Sequence, residues 1–141
     1  MSQDRPKHLG SSMVILSEVF LSIQGESTYA GLPCVFVRLA GCNLSCSWCD
    51  TPYARESSAG SEVPVSAVIK DVKRFNVPLV EITGGEPLLQ AGAKALGARL
   101  IKAGYRVLIE TNGSVSLKGL DKKIVKVVDV KCPSSGQSGS F

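Results

Sequence analysis

The chain lacks any apolar run near the roughly 20 residues that a membrane-spanning helix needs. Its polar start, Met1 to Ser12, has no apolar core of the kind that marks a secretory signal. The expectation is a cytoplasmic protein with no membrane partner. Zinc-finger spacing, a helix-turn-helix signal and a stripe of mixed aromatic and basic residues are also missing, so nucleic acid is not an expected partner. No Gly-Lys-Ser/Thr follows a glycine-rich turn, which excludes a phosphate loop. Neither sign of charge dominates: the net charge is +4, and the densest basic patch (Lys118, Lys122, Lys123, Lys126) reads as a solvated face. There is no internal repeat and no break in composition, so residues 1–141 read as one domain with room for a core. The Ser/Gly-rich segment 134–141 reads as a flexible tail.

Against that background the five cysteines stand out. In a reducing compartment, clustered cysteines point to metal or redox chemistry rather than disulfides. Cys34 lies in the apolar run Cys34-Val35-Phe36-Val37 and reads as a core residue. Cys132 lies in a polar segment near the end. Cys42, Cys46 and Cys49 share one short loop with the spacing C-x3-C-x2-C.

Periodicity places these residues in an α/β pattern. Short β-rich runs at 13–21, 33–40, 79–83, 105–110 and 124–130 alternate with helical spacing in Val65, Val68, Ile69, Val72 and Phe75 and in Ala93, Leu96 and Leu100. Residues 57–61 read as a loop. Strands alternating with helices predict a parallel sheet. Every unusual polar cluster follows a strand: the cysteine loop, Thr83-Gly84-Gly85-Glu86-Pro87, Glu110-Thr111-Asn112-Gly113 and Asp129-Val130-Lys131. In a β/α barrel those strand ends share one face, where active sites are built.

Each cluster has a definite chemistry and a plainer alternative. A closed tetrahedral zinc site takes four protein ligands, and here Cys34, Cys132 or His8 would have to complete it. Three thiolates can instead hold an iron-sulfur cubane with one iron open. Trp48 could stack on an adenine or pack within its own loop. The glycines of Thr83-Gly84-Gly85-Glu86 would let backbone approach a cofactor, with Glu86 accepting from an ammonium group; alone, the segment is a common turn. Thr51 after Asp50 is an oxygen ligand suited to Mg²⁺ or part of a turn. Gln24, in Gln24-Gly25-Glu26, offers both donor and acceptor. Arg38 sits in an apolar strand, where a charge is costly unless paired. It would pair with a substrate carboxylate, or with Glu18 or Glu81.

The cysteine spacing is that of the radical S-adenosylmethionine enzymes. Taken together, the chain resembles the 7-carboxy-7-deazaguanine synthases of that group. The resemblance rests on Phe20-Leu21-Ser22-Ile23-Gln24-Gly25-Glu26, on Phe36-Val37-Arg38-Leu39-Ala40-Gly41-Cys42-Asn43-Leu44 and on Cys46-Ser47-Trp48-Cys49-Asp50-Thr51. It continues through Ile82-Thr83-Gly84-Gly85-Glu86-Pro87-Leu88-Leu89, Glu110-Thr111-Asn112-Gly113 and Asp129-Val130-Lys131-Cys132-Pro133-Ser134-Ser135-Gly136. The resemblance implies a partial, open β/α barrel. It also implies a carbon–nitrogen lyase that converts 6-carboxy-5,6,7,8-tetrahydropterin to 7-carboxy-7-deazaguanine, on the path to queuosine and other deazapurines, by radical ring contraction with loss of ammonia.

The implied cofactors are a 4Fe-4S cluster on Cys42, Cys46 and Cys49, S-adenosylmethionine, and Mg²⁺ on Thr51. The implied cofactor contacts are Trp48, Cys49, Asp50, Gly84, Gly85, Glu86 and Lys131. The implied substrate contacts are Ile23, Gln24, Gly25, Glu26, Arg38 and Thr83. A flavodoxin-like or chemical reductant and a homodimer are the implied partners. Two features depart from the family pattern: Ser27 replaces a frequent glycine, and the C-terminal β/α units expected after Gly136 are absent from this sequence. An exposed sheet edge and lower stability are expected from the second. The rival readings are a glycyl-radical-enzyme activase, an inactive truncated chain and a zinc-stabilised binding module.

Overall fold

A computed structural model describes residues 12–140. His8, a candidate zinc ligand, lies outside the described residues. Six strands are formed: β1 (Met13–Ile23), β2 (Pro33–Leu39), β3 (Ser61–Pro64), β4 (Leu79–Gly84), β5 (Arg106–Thr111) and β6 (Val125–Val128). Two helices, α1 (Val65–Lys73) and α2 (Ala91–Lys102), connect β3 to β4 and β4 to β5. The strands make one open sheet in the order β3-β1-β2-β4-β5-β6.

The expected parallel sheet is formed by four of the six strands, and two antiparallel strands extend it on one side. β2, β4, β5 and β6 run parallel, but β1 is antiparallel to β2 and β3 is antiparallel to β1. Residues 24–32 are too short a link for the helical crossover that parallel pairing requires, so β1 and β2 form a hairpin. β3 falls partly in the segment expected to be a loop. It is a short edge strand ending in proline, where a missing donor is tolerated and the apolar pattern carries no signal.

The parallel strands have two unlike faces. Val35, Val37 and Leu39 of β2, Val80 and Ile82 of β4, and Val107 and Ile109 of β5 face the helices. They pack against Val65, Val68 and Val72 of α1 and Leu96 and Leu100 of α2. The opposite face is apolar only toward the strand beginnings, where Cys34, Leu79 and Leu108 cluster with Phe36, Val125 and Val127. Further along, the same alternation presents Arg38, Glu81, Thr83 and Glu110.

β1 obeys the alternation only with a bulge. Leu16 pairs with Leu39, but Glu18 pairs with Arg38, so Ser17 is an extra residue. Val14 and Leu16 therefore join the helix-side core, while Glu18 meets Arg38 and Phe20 stacks on Phe36 at 5.2 Å.

The segment expected to be a tail begins with a turn that touches the cysteine loop. Pro133–Ser135 forms a 3-10 turn, and Ser135 is buried. The Ser47 N–H donates to the Ser135 carbonyl (3.0 Å), and the Ser47 hydroxyl donates to the Ser134 carbonyl (2.6 Å). No spacing rule in either segment signals this pairing.

Candidate active site

A cavity of about 550 Å³ opens at the C-terminal ends of the parallel strands. The four polar clusters that follow strands all contribute to its wall: Cys42, Cys46 and Cys49; Thr83, Gly84 and Gly85; Glu110, Thr111 and Asn112; Asp129 and Lys131.

The cysteine loop has little regular structure and is held by its surroundings. Gly41 and Cys42 donate their N–H groups to the carbonyls of Ala54 (2.9 Å) and Arg55 (2.8 Å). On the other side, Gly85 donates to the Leu39 carbonyl (3.0 Å) and Glu86 to the Gly41 carbonyl (2.8 Å). This approach requires glycine. A Cβ on Gly84, which has a φ of +137°, would stand 2.0 Å from the Leu39 oxygen, and one on Gly85 would stand 2.2 Å from the Gly41 oxygen. The missing side chains thus make room for the chain's own backbone, which the cofactor-based reading of these glycines did not anticipate.

Glu86 is the larger correction. It is fully buried and does not line the cavity. Its Oε1 accepts from the Leu88 N–H (3.0 Å) and the Thr111 hydroxyl (2.8 Å), and its Oε2 accepts from the Asn112 N–H (2.7 Å). The carboxylate ties the end of β4 to the end of β5 and is committed there, so it does not reach a cofactor ammonium group.

All five cysteines are free thiols. Cys34 lies in the apolar cluster on the sheet, and burial, followed by the charge of Glu81, pushes its thiol up to about 12. Neither Cys34 nor the exposed Cys132 shares the cavity with the loop cysteines. Among the described residues no three His, Cys, Asp or Glu side chains are grouped to hold a single metal ion. Three free, half-exposed thiols on one short loop, open to a cavity, suit a cluster that leaves one iron for another ligand.

Around them, Trp48 is about half exposed. Its indole N–H donates to the Ser134 hydroxyl (3.3 Å), and the Lys131 ammonium stands 5.5 Å over its ring. Lys131 also donates to Asp129 (2.6 Å). Burial lowers its pKa, but the bond to Asp129 and the charges around it outweigh burial and raise it overall. Asp50 and Thr51 line the cavity, the Thr51 hydroxyl donating to Asp50 Oδ1 (3.1 Å).

Gln24, which also lines the cavity, is buried. Its backbone is pinned by the Leu32 carbonyl and the Gly31 N–H. Its Nε2 donates to Glu81 (2.6 Å), and its Oε1 accepts from the Glu26 N–H (3.1 Å). Gly25 and Glu26 also line the cavity, whereas Ile23 is exposed and does not.

Arg38 takes one of the two structural partners that the sequence offered, Glu18. Its Nε donates to Glu18 (2.9 Å), and its guanidinium lies 5.6 Å from the Phe20 ring centroid and 5.8 Å from that of Tyr53. Its terminal nitrogens make no hydrogen bond among the described residues and belong to a side chain that lines the cavity. That leaves a two-point donor for a carboxylate.

Glu81, Glu110 and Asp129 were not among the candidate site residues. Burial pushes Glu81 up to about 7, with the Glu110 charge adding to it. Glu110 is raised mainly by burial and then by Asp129 and Glu26, while the Thr83 hydroxyl, donating at 2.8 Å, opposes the shift. The argument that singles out Arg38 finds two of them as well: Glu81 and Glu110 are charges in the apolar runs 79–82 and 106–110. The cavity is therefore lined by a guanidinium, by carboxylates and by the three loop thiols.

Residues 36–131 match the Radical SAM superfamily. The chain is 47% identical over 128 residues to the 7-carboxy-7-deazaguanine synthase of Koribacter versatilis, covering 89% of this chain and 56% of that protein. It is 50% identical over 128 residues to the enzyme of the same name from Methanospirillum hungatei, covering 90% and 54%. The fold resembles the crystal structure of QueE from Escherichia coli with a TM-score of 0.76 and 26% identity, over 85% of this chain and 60% of that one. The chain thus spans about half the length of the curated relatives it matches. The matched span contains the cysteine loop, the glycine pair packed against it and the strand ends that open on the cavity, and the chain belongs to the radical SAM superfamily.

Proposed function

We propose that the protein acts as a 7-carboxy-7-deazaguanine synthase, converting 6-carboxy-5,6,7,8-tetrahydropterin to 7-carboxy-7-deazaguanine by ring contraction with loss of ammonia. One observation carries this reading: the free fork of Arg38 and the acidic Glu81/Glu110 wall share one cavity with three free thiols. A carboxylated pterin has an anionic substituent on one ring and an amidine-like donor edge on the other, and the cavity offers a guanidinium for the first and carboxylates for the second.

Cys42, Cys46 and Cys49 would hold the 4Fe-4S cluster, with Trp48, Asp50, Gly84, Gly85 and Lys131 along the S-adenosylmethionine path and Thr51 toward Mg²⁺. The cluster and S-adenosylmethionine would supply radical chemistry at a substrate C–H bond. The chain's own task is orientation. Arg38, fixed at Nε by Glu18 and near the rings of Phe20 and Tyr53, would present a donor pair to the substrate carboxylate. Gln24 is held by Glu81 and the Glu26 N–H, so its cavity edge cannot rotate freely. Thr83, bound to Glu110, fixes that carboxylate toward the donor edge. Two anchoring groups in one cavity with the cysteine loop would restrict how the substrate sits, which is the positional demand of a radical abstraction.

A flavodoxin-like reductant, a homodimer and a cytoplasmic location complete the proposal. Among the described residues no helix is long and apolar enough to cross a membrane. The test is anaerobic reconstitution with iron and sulfide, then reduction and addition of S-adenosylmethionine, Mg²⁺ and the carboxypterin. Mass spectrometry should find the deazaguanine product, and Arg38→Lys should lose it at limiting substrate. A loaded, reduced protein that consumes no carboxypterin would overturn the assignment.

A further inference from the structure

The cluster's own reactivity depends on groups beyond its three thiolates, and one side chain next to Cys42 has a fully determined orientation. Asn112 follows β5 and is only 6% exposed. Its backbone N–H is pinned by Glu86 (2.7 Å). Its Oδ1 accepts from both the N–H (3.0 Å) and the hydroxyl (2.7 Å) of Ser114. An amide oxygen with two donors cannot be exchanged with its nitrogen, so Nδ2 must point the other way. There it donates one hydrogen to Asn43 Oδ1 (3.1 Å) and the other to Cys42 Sγ (3.9 Å). Asn43 is tied back to Ser114 through its own Nδ2 (2.9 Å), which closes the arrangement.

We propose that Asn112 is a positioning residue that sets the reduction potential of the cluster held by Cys42, Cys46 and Cys49. An N–H directed at a ligating sulfur stabilises the state in which that sulfur carries more negative charge, which is the reduced cluster. The burial of Asn112 holds its amide in one orientation and shields that N–H from competing water. Asn112 therefore makes the cluster easier to reduce. It also fixes the first turn of the cysteine loop through Asn43. The inference rests on cluster binding by the three cysteines and not on the identity of the substrate.

The test is an EPR-monitored redox titration of the reconstituted protein without substrate. Asn112→Leu removes the donor, and Asn112→Asp keeps the acceptor for Ser114 while placing a negative charge beside Cys42. Both retain the backbone bond to Glu86. The one-electron reduction constant should fall about tenfold in the leucine variant, ~59 mV more negative, and further in the aspartate variant. Potentials equal to wild type in clusters that do assemble would overturn the proposal, because a merely structural side chain would lower cluster content without moving the potential. Should neither variant hold a cluster, wild-type protein labelled with ¹⁵N at asparagine Nδ2 decides the matter. Hyperfine coupling of the reduced cluster to that nitrogen supports the proposal, and its absence overturns it.

Discussion

Gly85→Ala should abolish cluster loading by prying the cysteine loop from β4. The added methyl would stand 2.2 Å from the Gly41 oxygen, 2.5 Å from the Gly41 carbonyl carbon and 2.9 Å from the Cys42 nitrogen. All three are backbone atoms and have no rotamer by which to yield. Ordinary carbon–oxygen contact demands a retreat of roughly 1 Å. The bonds from Gly85 to Leu39 (3.0 Å) and from Glu86 to Gly41 (2.8 Å) cross the same seam. A shift of that size carries both out of hydrogen-bonding range. Overpacking costs about 1–3 kcal/mol, and each lost backbone bond about 1 kcal/mol more. A total near 4 kcal/mol takes a large share of the 5–15 kcal/mol that holds a typical domain together. Iron and sulfide per chain after reconstitution, together with the urea midpoint of the apoprotein, measure the two consequences. Gly25→Ala is the control: Gly25 also lines the cavity, but nothing stands within 4 Å of its added Cβ. A Gly85→Ala protein with full cluster content and an unshifted midpoint would refute the reasoning.

Three other outcomes are expected. Glu86→Ala leaves the Leu88 N–H, Thr111 hydroxyl and Asn112 N–H without their acceptor inside the protein; it should cost roughly 3–5 kcal/mol in denaturant unfolding, whereas a purely cofactor-binding role would leave the apoprotein's stability unchanged. Glu81 ionises near 4.5 when unfolded but holds its proton to about 7 when folded. The folded state then binds more protons in that window, so stability should fall as pH rises from about 4.5 to 7; Glu81→Gln should flatten that slope, and an identical pH profile would count against it. Iodoacetamide at neutral pH should spare Cys34, which is buried with its thiol pushed up to about 12, while the apoprotein's other four cysteines react; peptide mapping that finds Cys34 modified at the same rate would show that the inner cluster opens.

The site was legible where a residue type is itself costly or rare. Three cysteines in one loop, an arginine between valine and leucine, and glycine pairs after an apolar run each announce a constraint that ordinary packing does not explain. Glu81 and Glu110 made the same announcement in the same kind of strand. They were missed as cavity residues because the strand registry, which sets Glu81 beside Phe36 and Leu108, is not written in either strand alone. Glu86 shows the converse: its motif position suggested a cofactor contact, but three donors from other segments claim its oxygens.

By itself the sequence determined the strand–helix alternation and the location of polar clusters after strands, because hydrophobic period and glycine or cysteine placement are local properties of the chain. It determined the superfamily through the spacing of three thiols. Tertiary structure alone decided the antiparallel half of the sheet, the bulge at Ser17 that turns Glu18 toward Arg38, and the docking of Ser134 and Ser135 on the cysteine loop. It also decided that the glycines of the motif accommodate backbone and that Asn112 aims its amide at Cys42. These depend on which distant groups compete for the same hydrogen bond or the same few cubic ångströms. That competition is settled only when the strands lie side by side.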